Sequence, residues 1–171
     1  MYTREIKIIF TGTPGCGKTT AVQTIAALPF KDAAGVEKRT TTIGHDYAEL
    51  ALSDDIVLRC YGTPDQPSFA FIRELLGRNA DGLVILVDNT RPTPLTDMQN
   101  YLDDFHALIA RTAAVVCVVK AGAANSPVMA DYQAHLQQSG QDLPIIFADG
   151  RKPEDMLNVL DGLFGQLLNR K

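Results

Sequence analysis

Eight residues, Gly12-Thr13-Pro14-Gly15-Cys16-Gly17-Lys18-Thr19, restrict what this chain can become more than any other stretch. They match G-x-x-x-x-G-K-[ST], the spacing of a loop built to wrap phosphate. Glycines at 12, 15 and 17 carry no Cβ, so the turns between them can aim successive N–H groups inward as an anion nest. The flanks agree with this. Residues 6–10, Ile-Lys-Ile-Ile-Phe, read as a buried strand leading into the loop, and residues 19–28 read as a helix with Val22, Ile25 and Leu28 on one face. Such a helix adds its unpaired N–H groups and the positive end of its dipole to the same place. The pattern predicts a nucleotide held by Gly12, Thr13, Pro14, Gly15, Cys16, Gly17, Lys18, Thr19 and Thr20. Lys18 would reach the β- and γ-phosphates, which also makes it a catalytic candidate, and the Thr19 hydroxyl would ligate Mg²⁺.

The rest of the chain reads as alternating strands and helices. Residues 29–39 form a loop, and two β-rich runs around Ser53-Asp54-Asp55 predict an antiparallel hairpin. Phe69, Ile72, Leu75 and Leu76 mark a short helix ending near Gly77. Residues 83–88 and 113–119 are continuous apolar runs, as expected of strands covered on both faces. Pro92 and Pro94 open a helix whose stripe runs from Leu95 to Ile109, and Ser126-Pro127 supply a cap and first turn for another. Residues 144–148 are the last strand. Pro153 opens a final helix with acids in its first turn and Arg170 and Lys171 at its end. The order predicts one α/β domain over residues 1–171, a mostly parallel six-stranded sheet with one antiparallel strand and helices on both faces.

Composition narrows the function. A net charge of −4 without a basic stripe argues against nucleic acid as a partner. No apolar run approaches the length of a membrane span, and the first residues have neither a leader nor an acylation glycine, so a cytoplasmic chain without a membrane anchor is expected. The three cysteines, at 16, 60 and 117, lack metal-ligand spacing, as do His45, His106 and His135. Cys16 is either a small residue filling the loop or a redox-sensitive thiol, whose pKa a helix N-terminus and Lys18 would lower.

Three stretches together resemble the Ras-like small GTPases: the phosphate loop, Thr42-Ile43-Gly44-His45-Asp46-Tyr47, and Gly62-Thr63-Pro64-Asp65-Gln66. The second resembles switch I, and the resemblance implies that Thr42 binds Mg²⁺ and senses the γ-phosphate. The third resembles switch II of the bacterial branch that includes the gliding-motility GTPases, and implies that the catalytic Gln66 orients the attacking water. It also implies GTP and GDP with Mg²⁺ as ligands, slow hydrolysis without a partner, and a protein effector or roadblock-type regulator. Loss of the γ-phosphate would release residues 30–47 and 62–70.

The sequence departs from that pattern at three places. Gly62 stands where the family has its metal-proximal aspartate, a replacement that the bacterial branch tolerates, and Asp65 where a glycine N–H meets the γ-phosphate. Val119-Lys120-Ala121-Gly122 replaces the guanine-reading Asn-Lys-x-Asp. Lys120 can still cover the base with its stem, and Asp149 is the candidate replacement acceptor. Guanine and adenine therefore stay open as bases. Two further functions stay open as well: a non-hydrolysing GTPase-like scaffold, nucleotide-binding or nucleotide-free, and a small phosphate-loop kinase or ATPase, the kinase with Asp88 holding Mg²⁺ and Arg91 assisting transfer.

Overall fold

A computed structural model describes residues 3–31, 34, 35, 37, 38, 46–65, 74 and 76–170. Strand β1, Arg4–Gly12, occupies the middle of the sheet and enters the phosphate loop, and helix α1, Lys18–Ala26, leaves it. A two-stranded ribbon, β2 (Phe30–Lys31) and β3 (Glu37–Lys38), lies in the stretch expected to be loop. Strands β4, Tyr47–Ala51, and β5, Ile56–Gly62, form the expected hairpin, with Tyr47 opposite Tyr61 and Leu50 opposite Leu58. Then come β6 (Gly82–Asp88), helices α2 (Pro94–Asp104) and α3 (His106–Arg111), β7 (Ala113–Val119), α4 (Met129–Gln138), β8 (Ile145–Phe147) and α5 (Pro153–Asn169).

The six-stranded sheet runs β4-β5-β1-β6-β7-β8, and only the β4–β5 pair is antiparallel. Strands β6 and β7 are buried at every position, which is why they read as unbroken apolar runs. One face of the sheet packs Val22 and Ile25 of α1 with Met156, Leu160 and Leu163 of α5. The other packs Met98 and Leu102 of α2 with Ile109, Tyr132 and Leu136. The parallel strands therefore all deliver their C-terminal ends to one edge, where ligands bind in open α/β sheets.

Two helices differ from expectation. The single helix expected from Pro94 to Ile109 divides at Phe105, whose backbone (φ −105°, ψ 13°) leaves the helical region. His106 Nδ1 donates to the Asp103 carbonyl at 2.8 Å and satisfies an acceptor at the break. The Ser126-Pro127 pair does not cap α4. The helix starts two residues after Pro127, with the Asp131 carboxylate accepting the Val128 N–H at 2.8 Å, while the Pro127 carbonyl accepts Asn89 Nδ2 at 3.1 Å. Of the short helix predicted around residues 69–77, residues 74, 76 and 77 are helical; Phe69, Ile72 and Leu75 lie outside the described residues.

Tyr132 fastens α4 to the sheet. Its side chain is fully buried, its ring meets Phe147 edge-on at 5.8 Å, and its hydroxyl donates to Asn89 Oδ1 at 2.6 Å. Tyr132→Phe leaves that buried carbonyl without its donor. Urea unfolding is expected to show a loss of about 1–3 kcal/mol; an unchanged midpoint would mean that the bond contributes nothing.

Candidate functional site

The phosphate loop joins the middle strand to α1 through backbone that only glycine adopts easily: φ is 151° at Gly12, 75° at Gly15 and 104° at Gly17. At Gly15 and Gly17 a Cβ would meet nothing within 4 Å, so these two glycines line open space. Cys16 N–H closes a tight turn onto the Thr13 carbonyl at 3.1 Å. The Thr13 hydroxyl is buried and has no hydrogen-bond partner among the described residues. Open glycines, an orphaned hydroxyl and a helix N-terminus form a cradle that fits phosphate oxygens.

Lys18 lies beneath this cradle with 7% of its surface exposed. Its Nζ donates to the Gly12 carbonyl at 2.8 Å and the Thr13 carbonyl at 3.3 Å, and pairs with the Asp65 carboxylate at 2.5 Å. Asp65, which stands where the resemblance places a glycine, thus neutralises the lysine that would bind a phosphate. Thr19 is the next residue of α1, and its hydroxyl donates to Asp46 Oδ1 at 2.5 Å. A hydroxyl and a carboxylate are hard oxygen donors that suit Mg²⁺, which takes one or two protein ligands and fills its remaining positions with water and substrate phosphates. No cluster of three or more His, Cys, Asp or Glu with metal-binding geometry occurs among the described residues. Thr42 and Gln66 lie outside the described residues.

Beside the cradle a pocket of about 690 Å³ is lined by Thr20, Lys120, Phe147 and Asp149 among others. Lys120 has a left-handed backbone (φ 56°) that turns it back toward the loop. Its Nζ donates to Asp88 Oδ2 at 2.7 Å and to the Gly15 carbonyl at 3.2 Å. Burial works against ionisation of Asp88, but its bonds from Lys120 and Thr90 outweigh that and hold the carboxyl below the usual range. Asp149 faces the same pocket but is engaged by Arg151, which donates from both Nε (2.9 Å) and Nη2 (2.7 Å). That bidentate pair holds the Asp149 carboxyl far below its ordinary value. The phosphate and metal ends of the site therefore fit a nucleotide, whereas the candidate base acceptor is bonded to arginine.

Of the two readings of Cys16, the structure favours the small residue that fills the loop. The thiol is 1% exposed, and burial raises its pKa by more than Lys18 lowers it. Burial likewise pushes Cys60 and Cys117 up to about 12. Cys16 is the packing residue: its Sγ lies 2.7 Å from where a Gly12 Cβ would stand. The folded protein is expected to react only slowly with a thiol reagent at pH 8, with all three thiols titrating after denaturation. One fast equivalent in the native state would restore the redox reading.

The kinase alternative needs Asp88 and Arg91 at the phosphates. Asp88 is taken up by Lys120 and Thr90, and Arg91 pairs with Asp97 at 2.6 Å. Sequence reasoning missed Asp46 as a site residue. A signal for it exists in the hairpin, where counting back from the Ser53-Asp54-Asp55 turn sets Asp46 opposite Gly62.

The sheet order, the glycine loop and the lysine–threonine pair define a phosphate-loop nucleotide-binding domain. The Ras family model matches residues 7–147, most of the chain, and the protein belongs to the Ras family of small GTP-binding proteins. An uncharacterized protein of Methanocaldococcus jannaschii is 30% identical over 88 residues, 51% of this chain and 53% of that protein. The chain thus spans about half the length of this curated relative. No helix among the described residues is long and apolar enough to cross a membrane.

Proposed function

We propose that the protein is a nucleotide-dependent molecular switch with slow, Mg²⁺-dependent GTP hydrolysis. The buried Lys18, set beneath an open glycine cradle, carries this reading. Bound Mg²⁺ would supply charge neutralisation at the β- and γ-phosphates. Lys18 and the loop N–H groups bind and orient the phosphates, Thr19 contributes a metal-facing hydroxyl, and the resemblance assigns Thr42 the second metal contact and Gln66 the orientation of water. With the γ-phosphate gone, the segments holding Thr42 and Gln66 would be released, changing the surface shown to a protein effector or roadblock-type regulator. A bacterial cytoplasmic setting accords with this reading, as does a protein rather than nucleic-acid partner.

A second reading, a GTPase-like scaffold without hydrolysis, is favoured by two ion pairs. Asp65 occupies Lys18, and Arg151 occupies Asp149. Calorimetry with GTP, GDP, ATP and ADP, each with Mg²⁺, separates the two. Guanine-selective binding supports the switch. Equal binding of adenine and guanine replaces it with a relaxed nucleotide-binding domain, and no binding leaves the nucleotide-free scaffold; where guanine nucleotide binds, absence of GTP hydrolysis even with cell extract leaves the nucleotide-binding scaffold. Asp65→Gly frees Lys18 and restores the glycine that the resemblance places there. It is expected to raise GTP affinity about threefold to tenfold, the effect held to ~1 kcal/mol because Asp65 is half exposed. Unchanged or weaker GTP binding would show that the Asp65–Lys18 pair does not compete.

A further inference from the structure

Gly62 ends β5 where the family resemblance places a metal-proximal aspartate, and the structure puts another carboxylate beside that position. Asp46 precedes β4, directly across the antiparallel ladder, and its carbonyl accepts the Gly62 N–H at 2.8 Å. A Cβ built on Gly62 would lie 3.2 Å from the Asp46 Cβ, 3.5 Å from its Cγ and 3.4 Å from its Oδ1. A Cβ at 62 would press lightly on the Asp46 Cβ and touch its carboxylate at ordinary contact distance, so a carboxylate carried by residue 62 would adjoin the one that Asp46 supplies. Asp46 Oδ1 accepts the Thr19 hydroxyl proton at 2.5 Å. A hydroxyl whose proton is held by a carboxylate turns its lone pairs elsewhere and keeps them free for a cation.

We propose that Asp46 is the positioning carboxylate of the metal site, supplied by β4 in place of a side chain on β5. It fixes the Thr19 hydroxyl and places a negative charge beside the cation that Thr19 receives. Partners that orient a metal ligand and add charge near the ion commonly contribute ten- to a hundredfold in metal affinity. The proposal rests on the nucleotide-binding reading above.

The test is the Mg²⁺ dependence of nucleotide retention in the full chain. Dissociation of a fluorescent GDP is followed as Mg²⁺ is titrated, with a parallel measurement in EDTA. Asp46→Ala and Asp46→Asn are expected to raise the Mg²⁺ midpoint by about tenfold or more, with little change in EDTA. The double variant Asp46→Ala/Gly62→Asp is expected to recover most of the loss, because a carboxylate returns beside Thr19 from the other strand once the Asp46 carboxylate is gone, at the cost of a small shift between the two Cβ atoms. Gly62→Asp alone is expected not to improve the midpoint, since Asp46 already holds the Thr19 hydroxyl and a second carboxylate beside it adds like-charge repulsion. If Asp46→Ala leaves the Mg²⁺ midpoint unchanged, the role assigned to Asp46 is overturned while nucleotide binding stands. Equal weakening with and without Mg²⁺ also overturns it, because a purely structural residue acts in that way. A wild-type chain that retains no nucleotide overturns both readings.

Discussion

Lys18→Ala is expected to weaken GTP binding by roughly 100-fold or more. The substitution removes a buried ammonium whose charge-assisted bonds to phosphate contribute about 1.5–3 kcal/mol each. It also leaves the carbonyls of Gly12 and Thr13 without the donor that holds them at 2.8 and 3.3 Å, so the loop loses part of its support. Lys18→Met keeps the aliphatic stem that fills this position and separates charge from packing. Calorimetry on both variants, with circular dichroism to confirm folding, is the check. Binding within a factor of about three of wild type in a folded Lys18→Met variant would remove Lys18 from the site and with it the observation that carries the switch reading. Lys18→Arg is not expected to rescue, because a planar guanidinium cannot replace a compact ammonium in a space shaped by two carbonyls and a carboxylate.

Gly12→Ala is expected to be the most destabilising single methyl addition in the loop. Its Cβ would lie 2.5 Å from the Leu86 carbonyl oxygen and 2.7 Å from Cys16 Sγ, and φ is 151°. The first contact is with backbone in the middle of a buried strand, so neither partner can swing away. Backbone strain of about 1–3 kcal/mol and overpacking of similar size combine to a loss of about 3 kcal/mol or more. At roughly 2–4 °C per kcal/mol for a domain of this size, thermal unfolding is expected near 6–12 °C lower. Gly15→Ala is the control: a Cβ there meets nothing within 4 Å, so only the cost of its left-handed backbone remains. Similar losses at both positions would show that steric contact with β6 does not decide the effect.

Both predictions concern the stretch that was plainest in the sequence. The phosphate loop, the two continuous apolar strands, the hairpin and the final helix follow from local rules: glycine spacing, apolar periodicity and turn chemistry act between residues close along the chain. The alternation of strands and helices was enough to predict a mostly parallel sheet with one antiparallel edge, and the sheet order agrees. Less legible were the break at Phe105 and the start of α4. There Asn89, 38 residues away in sequence, takes the Pro127 carbonyl and overrides the local preference for a Ser-Pro start.

What the sequence by itself determined is the phosphate-binding character of the chain, because backbone geometry around a triphosphate demands glycines, a lysine and a threonine at fixed spacing. Only the tertiary structure decided how the charged groups around that loop are distributed. Asp65 lies on Lys18, Asp88 on Lys120 and Asp46 on Thr19. The ion pairs of Lys18 and Lys120 join residues 47 and 32 positions apart, a separation at which composition and spacing carry no signal. A carboxylate's role depends on which cation or hydroxyl folding brings within about 3 Å of it, and at this site folding, rather than residue type, assigned each acid its partner.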